Sequence, residues 1–383
     1  MKQTRMTILV LFAILSLSTS YAQRQGASKS QSFSVTKGGT LEVSINSGSI
    51  SIATWDKPEV TLKLGGMDLK DDGIDKLTIS HRGNVVRVHD DDLWEYGEDV
   101  HLDVMVPDQF NLDLNTSLGD LTLRGTLTGN VEARTSAGEI SLGDVTGSVN
   151  ATTSGGDVTA GNLTGSSSLK TSGGDIRVSS CGGDLEAKTA GGDVRIGKVG
   201  KSLRAATAGG DITVDDVNGE ATVNTAGGNI GVGRVSGNAT VKTAGGDISL
   251  AGASGSVRAV SSGGNLTLHS VSGSLEAKTA GGDIRAELLP SGKGKSTLNS
   301  AAGTIRLYVP ENAKATIEAR IRVMGRWKGR NDDFSIRSDF KEEPSTREVG
   351  DREITARYIL NGGGELISVE TVNSDIEIRK LRK

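Results

Sequence analysis

Aromatic residues make up only 3 % of this chain, and it carries one cysteine, five prolines and four histidines. Each scarcity excludes something. A single cysteine, Cys181, leaves no disulfide framework and no multi-cysteine zinc site. Four scattered histidines, His81, His89, His101 and His269, do not form a His-rich metal centre. Five prolines beside 53 glycines rule out collagen and Pro/Gly-rich disorder alike. With so few aromatics, the interior must be built from Val, Ile, Leu and Ala. A formal charge of −4 gives no basis for nucleic-acid binding. No segment approaches the roughly eighteen apolar residues that a spanning helix needs.

The N-terminus reads as an address. Lys2 and Arg5 form a basic start, and Met6–Leu17 (MTILVLFAILSL) is a mostly apolar stretch too short to span a bilayer. Ser20-Tyr21-Ala22 then places small residues at −3 and −1 of a cleavage point before Gln23. This is the order of a secretory signal peptide, residues 1–22. An uncleaved anchor is the alternative. No cysteine near the cleavage point offers a lipid attachment.

The middle of the chain repeats. Thr171–Lys188 reads TSGGDIRVSSCGGDLEAK, followed by TAGGDVRIGKVGKSLRAA from Thr189 and TAGGDITVDDVNGEATVN from Thr207. Ten units run from Thr116 to Asn299, eight of them 18 residues long, and a degenerate eleventh starts at Ser300. Apolar residues fall at unit positions 6, 8, 11, 15, 17 and 2, a set that superposes on itself after a shift of nine. Their Φ-x-Φ spacing is strand alternation. The Gly-Gly pairs are expected to supply positive φ at tight corners, and the following Asp or Asn an Asx-turn.

A nine-residue half-unit cannot form a sheet alone, but stacked copies can. Each strand then pairs in parallel, in register, with its equivalent one coil along, and ten coils at ~4.8 Å make a rod about 50 Å long. The apolar period does not fit six-residue left-handed helices, and the third Gly and spaced Asp of the calcium-binding nonapeptide roll are missing. Parallel crossovers default to the right hand. No Phe, Tyr or Trp lies between Thr116 and Asn299, and no proline between Pro107 and Pro290. That suits central strands, which need every N–H.

The expectation is thus an all-β, right-handed parallel β-helix (β-solenoid) of ~18-residue coils with irregular capping coils. Its divisions are signal peptide 1–22, N-terminal capping coils 23–115, regular array 116–320, and C-terminal excursion with closing coils 321–383. Residues 23–383 form one continuous solenoid.

The array, the entry GGTLEVSINSGSISIATWDKPEV (38–60), the hinge VMVPDQFNLDLNTSLGDLTL (104–123) and the closing GGGELISVETVNSDIEI (362–378) together resemble the bacterial DUF4097 family and its adhesin-like members. The resemblance covers nearly all of the mature chain. It implies a β-helical, extracytoplasmic protein, and some relatives look associated with envelope-stress modules. The family carries no catalytic residues to transfer.

Few residues invite chemistry. Gly192–Lys198 (GDVRIGK) imitates a phosphate loop, but Val199 replaces the Ser/Thr and no helix follows. Cys181 replaces an aliphatic residue and reads as a buried hydrophobe. Asp157, Asp175, Asp193, Asp211, Asp247 and Asp283 recur at one position, with Asn229 and Asn265 between them. Such a column would be either a cation site or a ladder of turn bonds. The Asn interruptions favour the ladder, because Asn keeps the bond without the charge. Outward residues such as Glu186 and Arg204 are expected to pair between coils. Trp55, Trp94, Tyr96 and Trp327 are the candidate partner contacts, with cap packing as their plainer role.

The reading is a non-enzymatic, adhesin-like interaction module, exported to the periplasm or surface of a bacterium. It needs no cofactor or metal and is not transmembrane after signal cleavage. Its partner is an envelope protein or a surface glycan, not nucleic acid. The alternatives are an envelope-stress regulatory partner and a polysaccharide-active β-helix enzyme.

Overall fold

The computed structural model describes residues 29–66, 77–90, 100–290, 294–324, 334–342, 348–350 and 353–382. The signal segment lies outside them. Each repeat forms two strands: in the unit from Thr171 these are Ile176–Cys181 and Leu185–Lys188. Ile176, Val178 and Cys181 face inward from the first, and Leu185 and Ala187 from the second. β-Branched and aliphatic side chains suit that pleated, one-sided surface.

Equivalent strands stack in parallel without slipping. Ile176 pairs with Val194, Val194 with Ile212, and Ile212 with Ile230. On the other wall Leu185 pairs with Leu203 and Leu203 with Ala221. The result is two open, facing ladders, one of 17 strands, that enclose a continuous aliphatic core. This is a β-solenoid.

The sixth inward position is not the one expected. Position 2 of the unit is exposed (Ser172, Ala190), and the threonine at position 1 is buried instead. A hydroxyl can sit there because it is satisfied twice. Thr189 Oγ1 donates to the Gly174 carbonyl of the coil before, at 2.8 Å, and accepts the Gly192 N–H at 3.3 Å. Thr153, Thr171, Thr207, Thr225, Thr243, Ser261 and Thr279 repeat both bonds. The nine-residue pseudo-symmetry fails here because one bend has this hydroxyl ladder and the other has an aliphatic anchor.

The role expected of the Gly-Gly pairs also changes. None of the array's Gly-Gly corners has a positive φ. The second glycine is required by close approach: a Cβ on Gly174 would lie 2.2 Å from the Gly156 carbonyl oxygen. The first is under less pressure, with 3.1 Å from Gly173 to the Gly155 oxygen. Ala137 and Ala302 fill that first position in other coils.

The ends do not follow chain order. Strands Gly39–Ser47 and Ser49–Trp55 lie between the coil of Val85–Asp90 and Val100–Pro107 and the coil of Phe110–Leu118 and Leu121–Thr128. The C-terminal end repeats this device. Glu365–Val372 sits between Lys295–Ser300 and Ala315–Arg322, and Ile376–Lys380 between Ile305–Val309 and Ile336–Ser338. The last coil in sequence is therefore the second-to-last in space. Antiparallel strands complete the caps: Lys29–Ser34 on Glu59–Gly66, Leu77–Arg82 on Val85–Asp90, and Glu353–Leu360 on Ala315–Arg322. Caps of this kind shield the edges of the stack.

Candidate interaction surfaces

The aspartate column is a ladder between coils. The backbone N–H of Asp175 donates to Asp157 Oδ1 at 2.8 Å, Asp193 to Asp175 at 2.7 Å, and Asp211 to Asp193 at 2.9 Å. Asn229, Asp247, Asn265 and Asp283 continue it. Each side chain thus bonds the next coil's backbone, where an Asx-turn within its own coil was expected. Asn serves as well as Asp because only an acceptor oxygen is used. The remaining oxygens of Asp157 and Asp175 meet Arg177 at 3.0 and 2.5 Å, and Asp193 meets Arg195 at 2.8 Å. Among the described residues, no group of three or more His, Cys, Asp or Glu converges as a metal would require.

Outward columns on the shorter-strand wall are polar and run in register. One comprises Asp113, Glu132, Asn150, Ser168, Glu186 and Arg204. These residues line a shallow groove of 840 Å³. Glu186 and Arg204 are neighbours on the ladder, but the expected ion pair forms elsewhere. Glu186 bonds Lys188 on its own strand and Lys170 one coil back, the latter at 3.0 Å. Those bonds, Lys188 first, hold its carboxyl down to about 2. Residues two apart on a strand share a face, so a same-strand lysine reaches a glutamate as readily as a cross-strand arginine does. Glu276 repeats the arrangement with Lys278 and Arg258.

Of the four aromatic candidates, one lies within the described residues. Trp55 ends its strand half-buried, its indole N–H donating to the Glu59 carbonyl at 2.8 Å, with Lys57 Nζ 4.7 Å from the ring centroid. It is a corner of the N-terminal cap. Trp94, Tyr96 and Trp327 lie outside the described residues, and so does the Trp94/Tyr96 region on which the polysaccharide-cleavage alternative depended. The structure adds Tyr308, which shares the outward side of the long-strand wall with its ladder partners Glu287 and Arg379. Arg285 stacks on its ring at 4.3 Å and donates to its hydroxyl at 2.7 Å, and His269 pairs with Glu287 at 3.0 Å. The alternation R-L-Y-V after Ile305 carried that signal, since it places Tyr308 outward. Cys181 is buried, with Sγ 3.4 Å from the Gly165 carbonyl, and burial pushes its thiol up.

The family model of Toastrack DUF4097 matches residues 15–215 and 183–322. The chain belongs to the Toastrack DUF4097 family. Two solved structures resemble this Toastrack chain at low identity. One is a "putative adhesin" from Bacteroides fragilis NCTC 9343, with TM-score 0.30 and 12 % identity, covering 68 % of this chain and 97 % of that one. The other is a "putative cell adhesion protein" from Clostridium sporogenes ATCC 15579, with TM-score 0.18 and 7 % identity, covering 93 % and 100 %. No curated protein matches the sequence. The Toastrack solenoid has no helix among its described residues long and apolar enough to cross a membrane.

Proposed function

We propose that this protein is a non-enzymatic interaction module of the bacterial cell envelope, an adhesin-like rod that holds polar faces at fixed spacing toward an envelope protein or a surface glycan. The observation that carries the reading is the in-register stacking of outward polar columns, from Asp113 through Arg204, along the 840 Å³ groove. Such a surface is pre-ordered, so a partner meets it without a large ordering cost. The basic and apolar start at residues 1–22 supports export.

Crosslinking with mass spectrometry on native cell envelopes, with this protein as bait, tests the proposal. Crosslinks to a defined envelope protein, or enriched surface glycan, on residues of the groove support it. Recovery of the protein from the cytoplasm, with no envelope crosslinks, overturns it.

A further inference from the structure

The C-terminal coil is an insert rather than a terminal layer. Glu365–Val372 is paired along one edge with Lys295–Ser300 and along the other with Ala315–Arg322. Ile376–Lys380 is likewise paired on both edges. The insert is pinned by buried polar contacts. Ser296 Oγ donates to Glu365 Oε1 at 2.6 Å with both residues buried, and Thr371 Oγ1 donates to the Gly303 carbonyl at 2.7 Å. Nearly all its contacts are thus with other segments.

Its tether is unusual. Asn361, Gly362, Gly363 and Gly364 have φ of 51, 85, 83 and 155° in succession. It carries the chain from Leu360, paired on one edge of Ala315–Arg322, over the start of that strand to Glu365 on its other edge. Opened into an extended form, three glycines span further at little steric cost.

We propose that the slot between the strands Lys295–Ser300 and Ile305–Val309 on one side and Ala315–Arg322 and Ile336–Ser338 on the other is an interface for a second copy of this chain, which fills it with its own Glu365–Lys380 by coil exchange. Every hydrogen bond and buried contact of the insert is reproduced in the exchanged dimer, and only the hinge changes. The occupant is specific because the slot requires a two-strand coil with Glu365 facing Ser296. Exchange takes place during folding, when the array already stands and the last residues have yet to dock, a stage at which repeat proteins are prone to swapping. The inference is independent of the proposed envelope role.

The Lys380–Glu311 ion pair provides the test, because it joins insert to slot at 2.6 Å. Full-length copies labelled with ¹⁴N and ¹⁵N are unfolded together, refolded over a range of protein concentrations, coupled with a zero-length carbodiimide and digested. Glu311–Lys380 peptide pairs of mixed isotope should appear in a dimer fraction and rise with concentration toward about half of all such pairs, the random limit for exchanged copies. Deleting Gly362 and Gly363 shortens the tether and hinders the return within one chain, so at a concentration where the wild-type mixed share is well below half it should raise that share. Mixed pairs absent at every concentration overturn the proposal, and so does a mixed share that the hinge deletion leaves unchanged at that sub-saturating concentration.

Discussion

Thr189 donates its hydroxyl to the carbonyl oxygen of Gly174 at 2.8 Å, across the step from one coil to the next. Its own Oγ1 also accepts the N–H of Gly192 at 3.3 Å. One buried side chain therefore satisfies two backbone groups that the Gly-Gly corner leaves without strand partners. Thr189→Val keeps the shape and removes both bonds. It should lower stability by about 1–3 kcal/mol, the cost of stranding buried polar groups, while Thr189→Ser should cost less. Urea denaturation followed by circular dichroism measures the difference.

The two glycines of a corner should respond unequally. Gly174→Ala puts a methyl 2.2 Å from the Gly156 oxygen, forces the coils apart, and should cost roughly 1–3 kcal/mol. Gly173→Ala, with 3.1 Å of room and natural alanines at Ala137 and Ala302, should stay within about 1 kcal/mol of wild type. Equal melting of the two variants would contradict the close-approach account.

Ile212 and Val214 are buried on facing-inward positions of the strand Ile212–Val214. Asp at either place buries an unpaired charge and should cost on the order of 4 kcal/mol or more, breaking the array locally. Thermal melting that matches wild type would mean these side chains do not face the core.

Calcium should leave the melting temperature within about one or two degrees of the metal-free value, since the Oδ1 atoms of the aspartate column accept backbone N–H groups. A larger rise on adding millimolar calcium in a thermal shift assay would mean that the ladder gives way to ion coordination.

Glu186 should contribute to acid sensitivity. Its carboxyl is held at about 2 in the folded chain against an ordinary value of 4.5. A depressed folded value means stability present above pH 4.5 and lost as pH falls toward 2. The pair network is partly solvated, so the effect is roughly 0–1 kcal/mol and shrinks with salt. Glu186→Gln should therefore be less stable than wild type at neutral pH and equal to it near pH 2, as paired denaturation curves would show.

Much of this molecule was legible because its information is periodic. The 18-residue spacing of Ile176, Val194, Ile212 and Ile230 states the coil length, and the alternation Ile176-x-Val178 states which side faces in. Strand, register and aliphatic core follow, since a one-residue slip would turn every apolar side chain outward and the 18-residue repeat aligns the Gly-Gly corners of successive coils. The candidate surface was less legible. Outward positions were identifiable, but the partner that Glu186 takes was not, because Lys170, Lys188 and Arg204 are all within reach and only side-chain geometry selects between them.

By itself, the sequence determined the solenoid, its coil length and the composition of its walls, because each repeat restates the same local constraints. The tertiary structure alone decided three things. It placed Thr189 inward where Ala190 had the apolar claim, because only a hydroxyl could satisfy both Gly174 and Gly192. It assigned the second glycine of each corner to coil-to-coil contact rather than to a left-handed turn. It inserted Glu365–Lys380 beneath a coil that precedes it in the chain. Each depends on contact between distant segments, Ser296 and Glu365 being 69 residues apart, and such contacts leave no local pattern for a sequence to display.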